Sequence, residues 1–537
     1  MNAIELSVFV SRIESICEEM GAVLRRSAFS PNIKDRLDYS CAIFDGQGAL
    51  CAQAAHIPVH LGSMAYAMSD IVTTQIWNHG DMLVLNNPYL GGTHLPDVTM
   101  IAPVFSARFS SGKSPDSKSN NHEQPIAFVV NRAHHADIGA DAPGSMPLSK
   151  SLLEEGLIIS PTYIMHNGLV EAKALQEITL NMSRPDSAKG DFLAQISANQ
   201  TGVARLNELL SQLGEMHFAS ALKHLNDYGE RVARSALAQI PNGTYYFHDY
   251  LDDDGAGQKK IKISVTLHIE EQRIKVDFSG TDSQVEGNIN CPLSVAAAAV
   301  YYVFRCLMPA QTPACAGTFR MIELYAPKGC LLNAQYPAAV AAGNVETSTR
   351  IVDVILGALA QVQTSSDHDS DSDIKSKIPS ASYGTMNNIA MGSRENDNHW
   401  DYYETIGGGL GANQFFPGLN GVQAHMTNTL NTPIESLEHH YPLRISRYCL
   451  RDASGGSGKN RGGMGLIREV EFLQLTQITL LTERRSYSPW GLAGGGNGQV
   501  GENRLDGKLL PGKTFFTAQA GQKLTIKTPG GGGWGEL

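Results

Sequence analysis

Two short turns hold the densest grouping of histidine and aspartate in the sequence. GGTHLPD, at 91–97, places His94 and Asp97 three residues apart between Gly and Pro, so both side chains can point into one cavity. NRAHHADIGAD, at 131–141, follows the apolar run IAFVV and supplies four more such residues: His134, His135, Asp137 and Asp141. Two imidazoles and one carboxylate are the ligand set of a catalytic zinc, manganese or iron(II) ion, which polarises a carbonyl or activates water. The two turns therefore predict a divalent metal site.

The adjacent histidines His134 and His135 cannot both join this site. Side chains of neighbouring residues in extended backbone point to opposite faces, so at most one of the two ligates with His94 and Asp97. The other orients substrate or pairs with Asp137 in support of the ligands. The alternative is that all of these side chains are hydrogen-bonded turn residues in a packed core.

His56 and His60 in HIPVHLGSM are further candidates for a role in the site. Their spacing of four residues suits a pair of metal ligands only on a helix, and Pro58 between them argues against a helix. A position outside the site is therefore the favoured interpretation for both histidines.

Three other motifs have the letter patterns of known ligand sites in the wrong context. GKLLPGKT, at 507–514, matches a P-loop, yet turn-like and strand-like residues flank it where a P-loop needs a buried strand and a helix. GGGLGA, at 407–412, matches a dinucleotide-binding turn, but Pro417 and Gly418 follow it and prevent a helix, which favours a turn with close backbone approach. DYLDDDG, at 249–255, is out of phase for a calcium loop and predicts an acidic turn.

The composition excludes several classes of protein. The 537 residues are 42% hydrophobic and carry a net charge of −11 with a pI of about 5.9, the wrong sign for broad binding to nucleic acid. The sequence contains no run of about 18 uncharged apolar residues, so no membrane span is predicted, and acidic residues near the start do not suit a signal peptide. The eight cysteines include no C-x-x-C pair, which favours free thiols in a reducing compartment. We therefore expect a cytoplasmic protein with no nucleic-acid or membrane partner.

Apolar periodicity predicts an α+β fold with mixed sheets, long covering helices and a Gly-rich β region at the C-terminal end. Spacings of three and four predict an amphipathic helix over 13–24, and short apolar runs up to about residue 145 predict a sheet. Helical periodicity returns from about 190 to 240, and the following residues predict a meander with buried helices after it. From about residue 402 the strand-like pieces predict an all-β region. We divide the chain into 1–185 with the metal site, 186–245 helical, 246–400 α+β and 401–537 β.

Two polar stretches lack the apolar content that packing requires. They are SARFSSGKSPDSKSNNHEQP at 106–125 and QTSSDHDSDSDIKSKIPSAS at 363–382. We predict that both are exposed, mobile loops.

Long motifs spread over nearly the whole chain resemble one protein family. They are DRLDYSCAIFD, HIPVHLGSM, NNPYLGGTHLPDVTM, NRAHHADIGA, PGSMP, GNVETSTRIVDVILGAL, HMTNTLNTPIESLE and TPGGGGWG. By these motifs the sequence resembles the hydantoinase B/5-oxoprolinase family. That family comprises one half of ATP-dependent amidohydrolases acting on cyclic amides such as 5-oxoproline and N-methylhydantoin, and also subunits of acetone and acetophenone carboxylases. The resemblance implies an enzyme component whose ATP-using step is carried out by a separate A-type subunit or domain.

The resemblance also implies roles for individual residues. In the carboxylase relatives a His-x-x-Asp pair and a later histidine hold a manganese-type ion, and by motif these positions are His94, Asp97 and His134. Manganese, zinc and iron all stay open as the metal here. Asp137 or Asp141 is then the expected proton acceptor, and His135 is the remaining candidate for a catalytic role.

Polar residues further along the chain could grip a lactam or its phosphorylated form. HMTNTLNTPIESLE offers His425, Asn428, Asn431 and Glu435, for which a hydrogen-bonded turn network is the equal alternative. In GNVETS, Asn344 is expected to face the cavity.

The resemblance thus implies a B-type component of an ATP-dependent cyclic-amide hydrolase, of the 5-oxoprolinase or N-methylhydantoinase type. A lactam carbonyl is a poor electrophile because of amide resonance, and phosphorylation of its oxygen on the A-type partner would activate it toward water. Two alternatives stay open. One is the metal-containing subunit of an ATP-dependent ketone carboxylase, and the other is a non-catalytic scaffold for the ATPase subunit.

Overall fold

The computed structural model describes residues 2–54, 56–106, 124–362, 374–394 and 399–537. Within these ranges helices and four sheets alternate along the chain. The predicted α+β class is therefore confirmed.

The first sheet carries the two turns that the sequence singles out. Its strands are β1 (Tyr39–Asp45), β2 (Leu50–Gln53), β3 (Met82–Leu85), β4 (Asp97–Val104), β5 (Ala127–His134), β6 (Thr162–His166) and β7 (Leu169–Val170). They lie in the order β2-β1-β5-β4-β3-β6-β7, and β4 and β5 are antiparallel with every residue buried. Asp97, the first residue of β4, pairs with His134, the last residue of β5. Strand register therefore sets these two residues side by side.

Helices cover both faces of this sheet. They are α1 (Ala3–Ser27), α2 (Pro31–Lys34), α3 (Pro58–Thr74), α4 (Ala172–Thr179), α5 (Pro185–Leu213) and α6 (Glu215–Leu237). Helix α1 begins at a capping box of Asn2 and Glu5, and it packs with α5 and α6 over one face, while α3 packs on the other face. The helices predicted over 13–24 and about 190–240 are confirmed. The expectation that Pro58 prevents a helix was wrong, because proline stands at the first helical position of α3, where its missing N–H costs nothing.

The second sheet contains the predicted meander. Its strands are β8 (Gly243–Asp253), β9 (Lys259–Glu270), β10 (Arg273–Asp277) and β11 (Ile322–Tyr325), with the helices α7 (Leu293–Cys306), α8 (Ser348–Leu359) and α9 (Ile374–Lys377). Every residue of α8 is buried, including the charged Arg350 and Asp353. A π-helical turn over Gly343–Thr347 leads into α8, and such turns are frequent at functional sites. The predicted acidic turn is confirmed only for its last two residues, because 249–253 belong to β8; after the strand, Oδ1 of Asp254 accepts three main-chain N–H groups.

The last part of the chain forms two more sheets. Their strands are β12 (Asn388–Ser393), β13 (Trp400–Glu404), β14 (Leu443–Leu450), β15 (Leu466–Phe472), β16 (Thr476–Leu481), β17 (Glu502–Leu505), β18 (Lys508–Leu510), β19 (Lys513–Ala518) and β20 (Lys523–Lys527). The orders are β13-β12-β16-β19 and β14-β15-β20-β17-β18. Helix α10 (Ile434–His440) interrupts this region, so the expectation of an all-β region was wrong there. GKLLPGKT lies on β18, a turn and β19, which confirms its turn-and-strand context. The division at 185, 245 and 400 stays a prediction.

Glycine-rich segments outside the strands pack backbone against backbone. A β-carbon on Gly409 would lie 1.9 Å from the carbonyl oxygen of Gly463, and one on Gly531 would lie 2.0 Å from that of Leu410. Main-chain hydrogen bonds join the same segments, for example from Gly463 N to Leu410 O at 2.8 Å. Only glycine permits so close an approach, so the predicted role of GGGLGA is confirmed.

Most of the two polar stretches lies outside the described residues, which omit 107–123 and 363–373. The described end of the second stretch is not an exposed loop. Ile378, Ser380 and Ala381 are fully buried there, so the prediction was wrong for this part.

No helix in the described ranges is long and apolar enough to cross a membrane. All eight cysteines have free thiols, as the sequence predicts.

Candidate metal centre

His94, Asp97 and His134 form a buried triad at the end of the first sheet. The Oδ1 atom of Asp97 lies 3.0 Å from His134 Nδ1 and 3.1 Å from His94 Nε2, and the two ring nitrogens are 3.2 Å apart. All three side chains are at most 2% exposed. The pairing of β4 with β5 places Asp97 beside His134, and the turn before β4 brings His94 to them.

The spacing of these three atoms suits a divalent cation. Metal–ligand bonds of about 2.1 Å place ligand atoms roughly 3.0 Å apart at right angles and about 3.4 Å apart in a tetrahedron. The observed separations of 3.0 to 3.2 Å fall in this interval. Two histidines and one carboxylate on one side of a cation leave positions open for other ligands. The residues present therefore fit a catalytic metal site.

The second oxygen of Asp97 is held by three more side chains. Thr93 Oγ1 donates to Oδ2 at 2.5 Å, His60 Nε2 lies 3.2 Å away, and Asn344 Nδ2 donates at 3.5 Å. Burial disfavours the charged carboxylate, but His94, His60 and the hydrogen bond from His134 outweigh burial and hold the pKa of Asp97 well below its usual value. Asp97 is therefore ionised and fixed in orientation.

The imidazole of His94 is oriented by the main chain. Its Nδ1 lies 3.3 Å from the carbonyl oxygen of Ala341, to which it donates, so Nε2 is left to face Asp97. Burial disfavours the charged ring, but the nearby Asp97 carboxylate outweighs it and raises the pKa of His94. A proton or a metal ion at Nε2 is therefore electrostatically favoured.

The imidazole of His134 is oriented by an aromatic stack. It lies parallel to the Tyr403 ring, with centroids 4.5 Å apart and planes at 19°. The Arg36 guanidinium lies 4.7 Å from the centre of the same Tyr403 ring, and Asn388 Nδ2 donates to the Tyr403 hydroxyl at 2.6 Å. Burial lowers the pKa of His134 despite the hydrogen bond to Asp97. His134 Nε2 is buried and has no hydrogen-bond partner among the described residues.

His135 points away from the triad, as strand alternation requires. Its Nε2 lies 2.9 Å from Gln195 Oε1, and its ring packs on Phe192 of α5. Burial lowers its pKa. The structure therefore brings His134, and not His135, to His94 and Asp97.

The two aspartates predicted as proton acceptors lie in the turn after β5. Asp137 Oδ1 accepts from Gly139 N at 2.7 Å and from Ser145 Oγ at 3.0 Å, and its Oδ2 accepts from Ser183 N at 2.6 Å. Asp141 is exposed. In the described part of the chain no hydrogen bond joins either aspartate to the triad.

The residues predicted to hold substrate are dispersed. Asn344 lies at the triad, through its bond to Asp97. His425 Nε2 is buried 3.8 Å from Asp353 Oδ1, whereas Asn428 and Glu435 are both exposed.

Asn431 belongs to a different network. Its Nδ2 donates to Glu404 and to Thr405 O, and its Oδ1 accepts from the hydroxyl of Tyr448. Of the predicted substrate contacts, Asn344 is thus the one that touches the proposed metal ligands within the described ranges.

Sequence reasoning missed several residues around the triad. His60 was set aside because of Pro58, although HIPVH contains the signal, and α3 places His60 on Asp97. Thr93 stands inside the recognised turn, and its hydroxyl could have been proposed as a partner of Asp97. No pattern in the sequence pointed to Tyr403 or Ala341, which come from distant segments.

Comparison with known proteins identifies the family. The profile of the Hydantoinase B/oxoprolinase family matches residues 2–537. The chain is 39% identical to an uncharacterised protein of Methanocaldococcus jannaschii, over 100% of this chain and 91% of that protein. It is 37% identical to 5-oxoprolinase 1 of Arabidopsis thaliana, over 99% of this chain but only 42% of that longer protein. A protein assigned as the B component of a D-/L-hydantoinase from Pseudomonas sp. is 31% identical, over 100% of this chain and 90% of that one.

Two solved structures have the same fold. An ATP-dependent caprolactamase from Pseudomonas jessenii superposes with a TM-score of 0.88 at 27% identity, covering 100% of this chain and 91% of that chain. A nucleotide-free acetone carboxylase superposes with a TM-score of 0.85 at 16% identity, covering 99% of this chain and 75% of that chain. The chain belongs to the Hydantoinase B/oxoprolinase family of enzymes, and the resemblance seen in the sequence is confirmed.

Proposed function

We propose that this chain is the B-type, metal-containing component of an ATP-dependent cyclic-amide hydrolase. The observation that carries the proposal is the convergence of His94, Asp97 and His134 within 4.8 Å of one another, in a chain of this family. A divalent cation held there would supply Lewis-acid polarisation of a carbonyl oxygen or a more acidic water molecule. Manganese, zinc and iron all match the donor set.

The residues of this chain prepare the site for substrate. Asn344 donates to Asp97 through Nδ2, so its Oδ1 stays a buried acceptor without a partner in the described residues. A lactam N–H is the group that such an acceptor recognises. His134 Nε2 is a second unpartnered buried atom and suits a carbonyl oxygen. Asn344 therefore keeps its predicted substrate role as a proposal.

Three residues of this chain are candidates for the proton-transfer step. Asp137 already accepts three hydrogen bonds in its turn, and Asp141 is exposed. His60, at 3.2 Å from Asp97 Oδ2, is the nearest additional imidazole to the triad among the described residues. We therefore place His60 beside Asp137 and Asp141 as a candidate for this step.

The ATP-using step belongs to a partner in this proposal. The hydantoinase relative is named as one component of a larger enzyme, and this chain spans about two-fifths of the longer 5-oxoprolinases. Both facts support a second subunit or domain of A type. In GKLLPGKT, Lys513 is buried and its Nζ contacts Glu483 Oε1 at 2.5 Å, so it is not free to bind phosphate. Phosphorylation of the lactam oxygen on the partner would remove the amide resonance that protects the carbonyl. A cytoplasmic location stays a prediction.

The test is reconstitution with the A-type partner. We expect ATP-dependent hydrolysis of at least one of 5-oxoproline, a hydantoin and caprolactam, and a loss of at least 100-fold with His94→Ala. His268→Ala, which changes an exposed histidine of β9, is the matched control and should keep the wild-type rate. Wild-type turnover with His94→Ala would overturn the metal assignment and favour the scaffold alternative.

A carboxylase component is the second candidate function. The acetone carboxylase fold accommodates this chain over 99% of its length, although that likeness supports only the fold. Bicarbonate-dependent consumption of a ketone, without hydrolysis of any cyclic amide, would favour this candidate.

A further inference from the structure

Glu155 is a buried carboxylate that no part of the proposed chemistry uses. It is 1% exposed and follows a short 3-10 helix, Leu152–Glu154. One oxygen, Oε1, accepts three hydrogen bonds: from Val340 N at 2.8 Å, from Ala341 N at 3.0 Å and from Ser149 Oγ at 2.7 Å. A carboxylate that accepts two successive main-chain N–H groups fixes the backbone between them.

The fixed backbone is the segment that contacts the triad. The carbonyl oxygen of Ala341 accepts from His94 Nδ1 at 3.3 Å. The peptide that carries this carbonyl is held from its other side, because Ala342 N donates to Asn288 O at 2.9 Å. Glu155 thus holds the peptide group between Val340 and Ala341. Asn288 holds the peptide group between Ala341 and Ala342, whose carbonyl oxygen is the acceptor for His94.

We propose that Glu155 is a positioning residue for the metal ligand His94, acting through Ala341. A histidine that binds a metal ion through Nε2 carries its proton on Nδ1, and an acceptor at Nδ1 fixes both the tautomer and the angle of the ring. Most such acceptors are carboxylates or carbonyls in direct contact. Here the Glu155 carboxylate does not contact His94 and instead holds Ala341, whose carbonyl oxygen accepts from His94. The inference rests on the proposed metal centre.

A purely structural role would have a different signature. If Glu155 only anchors residues 340 and 341, its loss lowers the stability of the fold and leaves the metal affinity of the folded protein unchanged. If it positions His94, its loss lowers metal affinity in protein that is still folded. Metal affinity measured without the A-type partner therefore separates the two roles.

The experiment measures the affinity of purified protein for Zn²⁺ and Mn²⁺ by competition with a chelator, at constant pH. We expect Glu155→Ala to lose 10- to 100-fold in affinity. Glu155→Gln keeps an oxygen that can accept the same three bonds and should stay within about threefold of wild type. Glu154→Gln is the matched control, because Glu154 is the exposed neighbour of Glu155, at the end of the 3-10 helix. Wild-type affinity in folded Glu155→Ala would overturn the inference.

A second measurement covers the case in which Glu155→Ala does not fold. Nitrogen-15 NMR of the zinc-loaded wild-type protein reports which ring nitrogen of His94 is protonated. We expect the proton on Nδ1 and zinc at Nε2, and zinc at Nδ1 would overturn the inference. If wild-type protein binds neither metal, the metal centre fails and this inference fails with it. If wild type binds and Glu155→Ala binds equally well, only the inference fails.

Discussion

Two of the buried clusters of charged groups in the described residues are neutralised in different ways. The first is the candidate metal centre, where Asp97 is surrounded by His60, His94 and His134. The second, which we call the ion cluster, joins the second sheet and α8 to the sheet of order β13-β12-β16-β19. It comprises Asp249, Arg350, Asp353, Glu483, Arg484 and Lys513.

In the ion cluster each carboxylate meets a permanent cation. Lys513 Nζ lies 2.5 Å from Glu483 Oε1, and Arg484 Nη2 lies 2.5 Å from Asp353 Oδ2. At Asp97 the neighbours are histidines, which carry a charge only when protonated. The comparison teaches that the three acids of the ion cluster are balanced by its own three bases, whereas the triad has converging donor atoms and no permanent cation among its three residues.

Removal of a cation should have its largest effect on folding in the ion cluster. Lys513→Met leaves the buried Glu483, among the described residues, with only the 3.4 Å contact to Arg350 as an ion pair, so we expect the free energy of unfolding to fall by about 3–5 kcal/mol. Urea denaturation of metal-free protein measures this. Lys523→Met, at an exposed pair with Glu471, is the control and should change it by at most about 1 kcal/mol. A loss below about 1 kcal/mol for Lys513→Met would contradict the comparison.

Removal of the central charge should have its largest effect on metal binding in the first cluster. Asp97→Asn keeps the size of the side chain but removes an anionic ligand, so we expect metal affinity to fall on the order of 100-fold or more. Chelator competition measures this. Asp141→Asn changes an exposed aspartate of the neighbouring turn and should leave the affinity unchanged. Equal affinities for the two variants would show that the metal, if bound, lies elsewhere.

The pH dependence should also distinguish the clusters. The pKa of His94 is raised above the ordinary value of about 6.5 for histidine. As the pH falls, protons therefore begin to compete with the metal ion for this residue while the pH is still above about 6.5. We expect metal affinity to fall about tenfold per pH unit for each proton displaced, between pH 8 and 6.

In metal-free protein, the contribution of His94 to folding stability changes with pH in the opposite direction to metal affinity. A raised pKa in the folded state means that protonated His94 stabilises the fold at low pH, and this contribution is lost as pH rises through the folded pKa. The destabilisation caused by Lys513→Met should shrink as the pH falls, because burial raises the pKa of Glu483 and this carboxyl group can take up a proton once its cation is gone. A metal affinity independent of pH would argue against histidine ligands.

The smallest effect is expected at the stack beside His134. Tyr403→Phe keeps the ring against His134 and removes only the hydroxyl that binds Asn388. We expect a loss of about 1 kcal/mol in the free energy of unfolding and at most about threefold in metal affinity. Calorimetry and chelator competition measure the two quantities. A tenfold loss of metal affinity would mean that the hydroxyl, and not the ring, controls the position of His134.

The sequence allowed much of the candidate metal centre to be predicted and little of its surroundings. His94 and Asp97 share one turn, strand alternation limits the third ligand to one of His134 and His135, and the family resemblance selects His134. Tyr403 and Ala341 contact the triad from segments far away in the sequence, and no local pattern encodes such contacts. The prediction that Pro58 prevents a helix was wrong because proline is excluded from the interior of a helix but not from its first turn.

The fold class was predictable because long periodic segments such as α1 and α5 carry strong signals. The ion cluster was not, because charged residues are usually exposed and its members are scattered from Asp249 to Lys513.

The glycine-rich segments also have a consequence for how the protein folds. The backbone segments near Leu410, Gly463 and Gly531 approach one another so closely that no side chains fit between them. The packing of these three segments therefore cannot be completed until the last of them, near Gly531, has folded onto the other two. Contacts between residues so far apart along the chain form slowly, because a long loop must close before any contact is gained. We expect this part of the protein to become protected from hydrogen exchange last during refolding, and to be the part most exposed to aggregation while the chain is incomplete.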